Sequence, residues 1–506
     1  MTRRILLLDP PGHLRWLNLG LGYLAGVATH CGAEVKVLDF NNLRGLNEHE
    51  RIESAFGGHE PSVIGASLFT ATARAGVSLL ARAKAIYPNS IFIVGGPHIS
   101  LSQNAIMDEF NFVDLAVVGE GEYTLQEICE WLDGRKKLKE IPGLIYRTKR
   151  GIRHAPPRQF SRELDKLPFP DFCCFDSVQS WGQLTVYPMI TSRGCPYSCS
   201  FCSAHLSVGK KWRYRSPENV ITELKMAKQR YRTEEIHFYD DNFSFDVRHA
   251  RKVCSLMIEE KLGLRWWLRN GVRADKIDRD TAGLMKQAGC YAVDVGVESA
   301  DPFVFSKINK GESLEQIKFA VKLLKETGVK RVGGFFILGL PYSTLDSDIK
   351  SIKLRHDLGL DEATWSFFIP YPGTKAADYI ARHGRIFDLD SAHQFDVEPG
   401  CETEEYSRRE RVIAMMMARY LEFHQGLPFL LRLLTLEVLL VLRGKSLRFL
   451  MEYNLLLLKK TVFNRFLRLF IKTARRLGVS SLRTKMPRAL QAPISTLAIW
   501  LDERMN

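Results

Sequence analysis

Two successive series of alternating strand and helix patterns constrain this chain more than any other feature of its sequence. In the first 150 residues the apolar segments RILLLDP, EVKVLDF, SVIGASLF, SIFIVGGPH and VDLAVVGEGE recur about every thirty residues or fewer, with helical periodicity between them. Short, continuously apolar strands are covered on both faces, which calls for parallel pairing with helices on either side. They predict a doubly wound, Rossmann-like α/β domain over residues 1–150. Such a sheet binds ligands outside the carboxyl ends of its strands, and there the loops carry Ser67 to Thr70, Gly95-Gly96-Pro97-His98 and Gly119-Glu120-Gly121-Glu122. Glycines in these loops serve either tight turns or the close approach of backbone to a bulky ligand.

A proline-rich connector at 151–183 has no sustained period. Over 184–400 a second series follows, with strand segments LTVYPMITS, EIHFYDD, RWWLRNG, YAVDVGVES, RVGGFFILGLP and ATWSFFIPY alternating with helical stretches. This predicts a partial (β/α)6 barrel of the TIM type, whose chemistry sits on loops at the carboxyl ends of the strands. The last region, 401–506, reads as a basic α-helical domain, with 19 Lys and Arg against 9 Asp and Glu; +10 of the formal net charge of +14 therefore lies there. The rest is nearly balanced, so nucleic acid is the least favoured partner. Arg432, Glu437 and Arg443 interrupt its most hydrophobic part, which argues against a membrane span. Arg465, Arg468 and Lys472 share a helical face, leaving two readings: a basic amphipathic element on the inner face of an anionic membrane, or a helical cap on the barrel.

Three of the ten cysteines crowd into TSRGCPYSCSFCSAH, at 195, 199 and 202. The spacing also fits a helical face, but Gly194 and Pro196 flank the first cysteine and neither suits a helix interior. The segment reads as a loop that turns its thiols toward one soft metal centre. Zinc would take the three thiolates plus His205; a 4Fe-4S cubane would take the three thiolates and leave one iron open. The loop follows the first barrel strand, a reactive address that favours the cluster. The adjacent Cys173 and Cys174 read as structural. With the other seven cysteines scattered and no signal sequence opening MTRRILLLDPPGH, a reducing, cytoplasmic setting is expected.

The C-x-x-x-C-x-x-C string after the first barrel strand, with Phe201 just before the last cysteine, resembles the signature of radical S-adenosylmethionine (SAM) enzymes. GGPH and VVGEGE in the front domain are similar to the cobalamin-binding half of two-domain cobalamin-dependent radical SAM proteins, the group of the anaerobic Mg-protoporphyrin ester cyclase and the hopanoid methylases. GVESADPFVFSKINKG, GGFFILGLP and YPGT match later motifs of the same family, so the likeness spans about residues 1 to 400. It implies three cofactors: a 4Fe-4S cluster on Cys195, Cys199 and Cys202, SAM at its fourth iron, and cobalamin on the front domain. Phe201 would lie near the adenine, the turn Tyr239-Asp240-Asp241-Asn242 would face the methionine amino group, and Glu298 with Ser299 would line the SAM site. Ser67, Thr70, Gly95, Gly96, His98, Gly119 and Glu120 would contact cobalamin. Asp240 could equally cap the following helix, and Arg269 and Arg273 could hold carboxylates or pair with Asp275 and Asp294. The front domain lacks the D-x-H-x-x-G string that supplies a lower cobalt ligand in many relatives, since Asp9 and His13 have the wrong spacing.

The implied activity is reductive cleavage of SAM to a 5′-deoxyadenosyl radical, hydrogen abstraction from an unactivated carbon, and C-methylation by methylcobalamin. A cyclase or rearrangement outcome is the alternative. Partners would be a small-molecule substrate, of lipid, isoprenoid or porphyrin-like character if the tail meets a membrane, and a flavodoxin- or ferredoxin-type electron donor. A tRNA methylthiotransferase would need a second cysteine cluster in the front domain, where only Cys31 and Cys129 occur. The non-enzymatic alternative is a zinc-stabilised binding protein.

Overall fold

The computed structural model describes residues 3–12, 15–387 and 398–423, and the chain divides into two units, 1–415 and 416–506. His13 and the basic tail with Arg465, Arg468 and Lys472 lie outside the described residues. Among the described residues no helix is long and apolar enough to cross a membrane.

The front sheet contains β1 (Arg4–Asp9), β2 (Glu34–Asp39), β3 (Val63–Ser67), β4 (Ile91–Gly95), β5 (Leu115–Val117), β6 (Leu144–Thr148) and β7 (Gly151–His154), in the order β2-β1-β3-β4-β5-β6-β7. The first five strands run parallel and are those expected from the apolar runs; β6 and β7 extend the sheet antiparallel. Its core is the apolar face of these strands, with Leu6, Leu8, Ile64, Phe92 and Val94 buried against Val77, Leu80 and Ala83 of the helix Ala73–Ile86. Full burial of each such large side chain contributes about 1.5–3 kcal/mol. The chain direction across the sheet reverses between β1 and β3, which opens a crevice at their carboxyl ends.

The second sheet starts with β8 (Val186–Met189). A small hairpin follows, made of β9 (Ser192–Arg193) and β10 (Arg213–Tyr214), and then come β11 (Glu235–Phe238), β12 (Arg265–Val272), β13 (Cys290–Glu298), β14 (Arg331–Leu338) and β15 (Glu362–Phe367). The six long strands pair in parallel in the order β8-β11-β12-β13-β14-β15, an open (β/α)6 barrel with β8 and β15 at its edges. Polar caps start its helices: Ser216, Asp246, Asp278, Ser313 and Thr344 each accept a bond from a first-turn backbone N–H. One glycine in β12 is required by its backbone. Gly271 has φ +79°, sits where the register with β13 shifts, and a Cβ there would lie 2.7 Å from the Asp294 carbonyl oxygen.

Candidate metal centre and ligand crevice

The hairpin β9–β10 is the neck of the cysteine loop, with Arg213 opposite Arg193 and Tyr214 opposite Ser192. Gly194 enters the loop at φ +91°, and a Cβ there would collide with the Lys211 carbonyl. The loop is then tied to the carboxyl ends of several strands. Gly194 N donates to Asp241 Oδ2 after β11 (3.0 Å), Ser200 N to Ile308 O beyond β13 (2.8 Å), and Ala376 N beyond β15 to Ser200 O (3.0 Å). Cys195 N donates to Gly209 O (3.2 Å) and Cys202 N to Cys199 O (3.2 Å).

Cys195, Cys199 and Cys202 are all free thiols, partly buried. Burial pushes them up from the ordinary thiol range, Cys199 to about 11 and Cys202 to about 12, and the neighbouring sulfurs oppose one another's ionisation. Protein groups alone therefore leave them protonated; a soft cationic centre would make them thiolates and remove that repulsion. The donor set fits a cluster in this respect. Among the described residues no group of three or more His, Cys, Asp or Glu converges as a ready-made metal site, which holds for the three cysteines alone as it does for the three cysteines with His205, so convergence does not choose between cluster and zinc. His205 lies on the short helix Ala204–Ser207, and Phe201 is half-buried within the loop.

The residues expected around SAM share this strand end, but several carboxylates are engaged with protein. Buried Asp240 accepts from Thr191 N (3.0 Å), Thr191 Oγ1 (2.7 Å) and Ser192 Oγ (2.6 Å), holding the path from β8 into the hairpin; the following helix is capped by Asp246 instead. Tyr239 follows β11, where its N–H donates to Met189 O (2.8 Å); its ring meets Trp16 of the front domain edge-on at 6.3 Å. Glu298 ends β13 at φ +63°, a conformation that costs a non-glycine residue about 1–3 kcal/mol and that its ion pair with buried Lys310 (3.0 Å) holds in place. Lys310 also meets Glu312 at 3.2 Å, and Ser299 Oγ accepts from Asp301 N (3.3 Å). Arg273 pairs with Asp275 (3.0 Å) and lies 3.5 Å over the Tyr197 ring, while Arg269 lies 3.8 Å over Trp267.

In the front domain, Ser67 pairs in register with Gly95, and His98 Nδ1 meets Thr70 Oγ1 at 3.3 Å. Gly96 stands at φ +97°, where a Cβ would lie 2.9 Å from the Leu68 backbone and Ser67 Oγ. Gly119 N donates to Ser100 Oγ (3.0 Å). These loops share the carboxyl edge of β3, β4 and β5. Trp16 and Phe69, after β1 and β3, are 37% and 42% exposed at the same edge. A crevice with exposed aromatic faces and short polar groups suits a large flat ring such as corrin.

Glu120 faces another way. Its carboxylate accepts from Arg213 Nη1 (2.8 and 2.9 Å), Arg193 Nη1 (3.2 Å) and Ser161 N (3.1 Å), and Glu122 binds Arg193 Nη2 at 2.6 Å. The loop after β5 is thus clamped onto the neck of the cysteine loop. Nearby, Arg215 joins buried Glu223, which also accepts from Tyr187 Oη (2.7 Å). Sequence patterning does not single out these arginines; the one signal it carries is charge, an acidic GEGE loop in the front domain and a stretch from Ser177 to Pro217 without Asp or Glu.

Residues 189–354 match the radical SAM superfamily, and residues 13–129 match the B12 binding domain. An uncharacterized methyltransferase of Pyrococcus horikoshii is 30% identical over 411 residues, 80% of this chain and 87% of that one. The cytidylyl-2-hydroxyethylphosphonate methyltransferase of Streptomyces wedmorensis is 26% identical over 463 residues, covering 79% and 85%. Among solved structures, the radical S-adenosylmethionine methyltransferase TsrM of Kitasatospora setae, with cobalamin and a [4Fe-4S] cluster bound, has the same fold. It superposes with a TM-score of 0.64 at 21% identity, covering 76% of this chain and 78% of that one.

Proposed function

This chain belongs to the radical SAM superfamily with an N-terminal B12-binding domain, and from that premise we propose that Cys195, Cys199 and Cys202 hold the cluster of a cobalamin-dependent radical SAM methyltransferase. The observation that carries the assignment is the three-thiol loop at the carboxyl end of the first barrel strand, clamped by Arg193 and Arg213 to the loop after β5. When bound, a cluster on Cys195, Cys199 and Cys202 would supply the electron for reductive cleavage of SAM and so the means of activating a carbon–hydrogen bond, and methylcobalamin at the edge of the front sheet would supply the methyl group.

The protein's own residues hold and orient. Asp241 fixes the Gly194 amide and so the entry of the cysteine loop, and Asp240 holds Thr191 and Ser192 beneath it. Phe201, Tyr239, Glu298 and Ser299 surround the place for SAM, with Lys310 setting the direction of Glu298. Ser67, Thr70, Gly95, Gly96, His98 and Gly119 form the edge for cobalamin, and His98 acts there as a hydrogen-bonding residue toward Thr70. Glu120 contributes by fixing the two domains, so that a methyl donor on one side faces a substrate carbon on the other.

The substrate is a small molecule. The basic, apolar sequence of the last hundred residues supports a lipid, isoprenoid or porphyrin-like compound reached from the cytoplasmic face of a membrane; membership of the radical SAM superfamily supports a flavodoxin- or ferredoxin-type protein as electron donor. The test is anaerobic reconstitution with iron, sulfide and cobalamin, followed by mass analysis of products from SAM with a deuterated methyl group. Label transferred to a carbon of the product is expected. 5′-Deoxyadenosine released with an unlabelled, altered product would replace methylation by the cyclase or rearrangement outcome.

A further inference from the structure

Beside the cysteine loop lies a surface that the chemistry above does not use. From Ser177 to Pro217 the chain has no Asp or Glu but contains Arg193, Lys210, Lys211, Arg213 and Arg215. The three arginines are engaged internally, with Glu120, Glu122 and Glu223. Lys210 and Lys211 are exposed and make no ion pair among the described residues. Arg248, 92% exposed, stands close enough to Tyr214 to interact electrostatically with it, and its own partner is Asp246 at 3.3 Å. The rim therefore carries three cations and one anion.

Aromatic rings fill the space between this rim and the loop. Tyr214 is 54% exposed and stacks on Trp212 at 5.0 Å; Trp212 meets Phe245 at 5.3 Å, and Phe245 meets Tyr197 at 6.1 Å. Tyr197 is two residues from Cys195, whose N–H is bonded to Gly209 of the same segment that carries the lysines. An exposed aromatic centre within a charged rim has the composition of a protein contact site. It adjoins the loop of thiols through Tyr197 and through the bond from Cys195 N–H to Gly209 O, and that adjacency sets what the contact can do.

We propose that the face formed by Lys210, Lys211, Trp212, Tyr214 and Arg248 docks an acidic one-electron carrier protein and is where the electron enters. The proposal rests on the cluster assignment above. In each encounter the carrier loses one electron and the cluster gains one; no bond forms or breaks and no proton moves. Complementary charge steers association, so the rate falls as salt rises.

The test uses reconstituted holoenzyme and two reductants, a reduced flavodoxin and reduced methyl viologen, with bleaching of the cluster absorption followed by stopped flow. The variant K210E/K211E/R248E is expected to lower the second-order rate with flavodoxin at low salt by about tenfold or more, with K210A/K211A in between. Both should bind wild-type iron, be reduced normally by methyl viologen and cleave SAM normally when it is the reductant. A flavodoxin rate within about twofold of wild type overturns the docking face, and so would an equal loss with methyl viologen; a partner copy or a membrane seated on this face would give the first result. Wild-type protein that retains no iron would overturn the cluster assignment, a failure separate from that of the face.

Discussion

Arg193 stands two residues before the first cysteine and gives the sharpest test of how the two domains are joined. Replacing it with methionine keeps most of its length and removes its charge. Glu120 retains both contacts to Arg213, at 2.8 and 2.9 Å, so the group left without its ion-pair partner is Glu122. Removing one member of a buried pair costs about 3–5 kcal/mol, because the other charge stays desolvated. The pH dependence is more specific than the size. In the wild-type protein burial alone would push the Glu122 carboxyl up, but the charge and hydrogen bond of Arg193 outweigh it and hold the group below its ordinary 4.5. That contribution is present above the unfolded value and is lost as pH falls through the folded one. In Arg193→Met burial is opposed only by a backbone hydrogen bond and by the charge of Arg213, and the folded value is expected to rise above 4.5. The folded variant then binds a proton that the unfolded chain has released, and its stability falls by about 1.4 kcal/mol per pH unit until the raised value is passed. Urea unfolding of anaerobic protein, followed by tryptophan fluorescence at about pH 5.5 and about pH 7.5, should show a larger loss at the higher pH. Adding Glu122→Gln should remove the pH dependence and restore about 2 kcal/mol at the higher pH. A loss below about 1 kcal/mol, or one indifferent to both pH and Glu122→Gln, refutes the reasoning.

Alanine at Cys195, Cys199 or Cys202 should abolish cleavage of SAM and reduce iron from about four per chain after reconstitution, whereas His205→Ala should keep both; metal analysis and 5′-deoxyadenosine release measure this. Gly194→Ala places a side chain against the Lys211 carbonyl at φ +91°, at a cost of about 1–3 kcal/mol, and should open the hairpin neck and lower iron retention on gel filtration. Asp9, buried beside Asp39 and bonded to Asn18 Nδ2 (2.9 Å), is pushed up to about 8, first by burial and then by Asp39. Its ionisation therefore weakens the fold as pH rises from the ordinary carboxyl range toward about 8, and the stability of Asp9→Asn relative to wild type should be clearly greater at pH 8 than at about pH 5.

The long strands were legible because burial on both faces leaves a continuous apolar run, as in β1 and β4, and the cysteine loop because Gly194 and Pro196 deny the helix that its spacing would otherwise allow. The hairpin β9–β10 was not legible, since a two-residue strand has no period to detect. Asp240 shows a second limit. A carboxylate after a strand can cap the next helix or face a ligand, and the structure instead gives it to Thr191 and Ser192, forty-nine and forty-eight residues back. Glu120 shows the same limit more clearly. Its glycine neighbours mark a loop at the ligand-binding edge but carry no information about where its side chain points, and its partners Arg193 and Arg213 lie 73 and 93 residues away. Apolar periodicity reports what is removed from water, whereas the pairing of a buried charge depends on which elements the topology brings together. The clamp between the domains is therefore a tertiary feature, made by side chains 73 and 93 residues apart that no local pattern pairs. It also follows that the GEGE loop and the hairpin arginines must change together: reversing Glu120 and Arg213 at once should preserve more of the domain contact than reversing Glu120 alone, because the single reversal sets an arginine against both Arg193 and Arg213, whereas the double reversal restores one pair and leaves only the contact with Arg193 unlike its original.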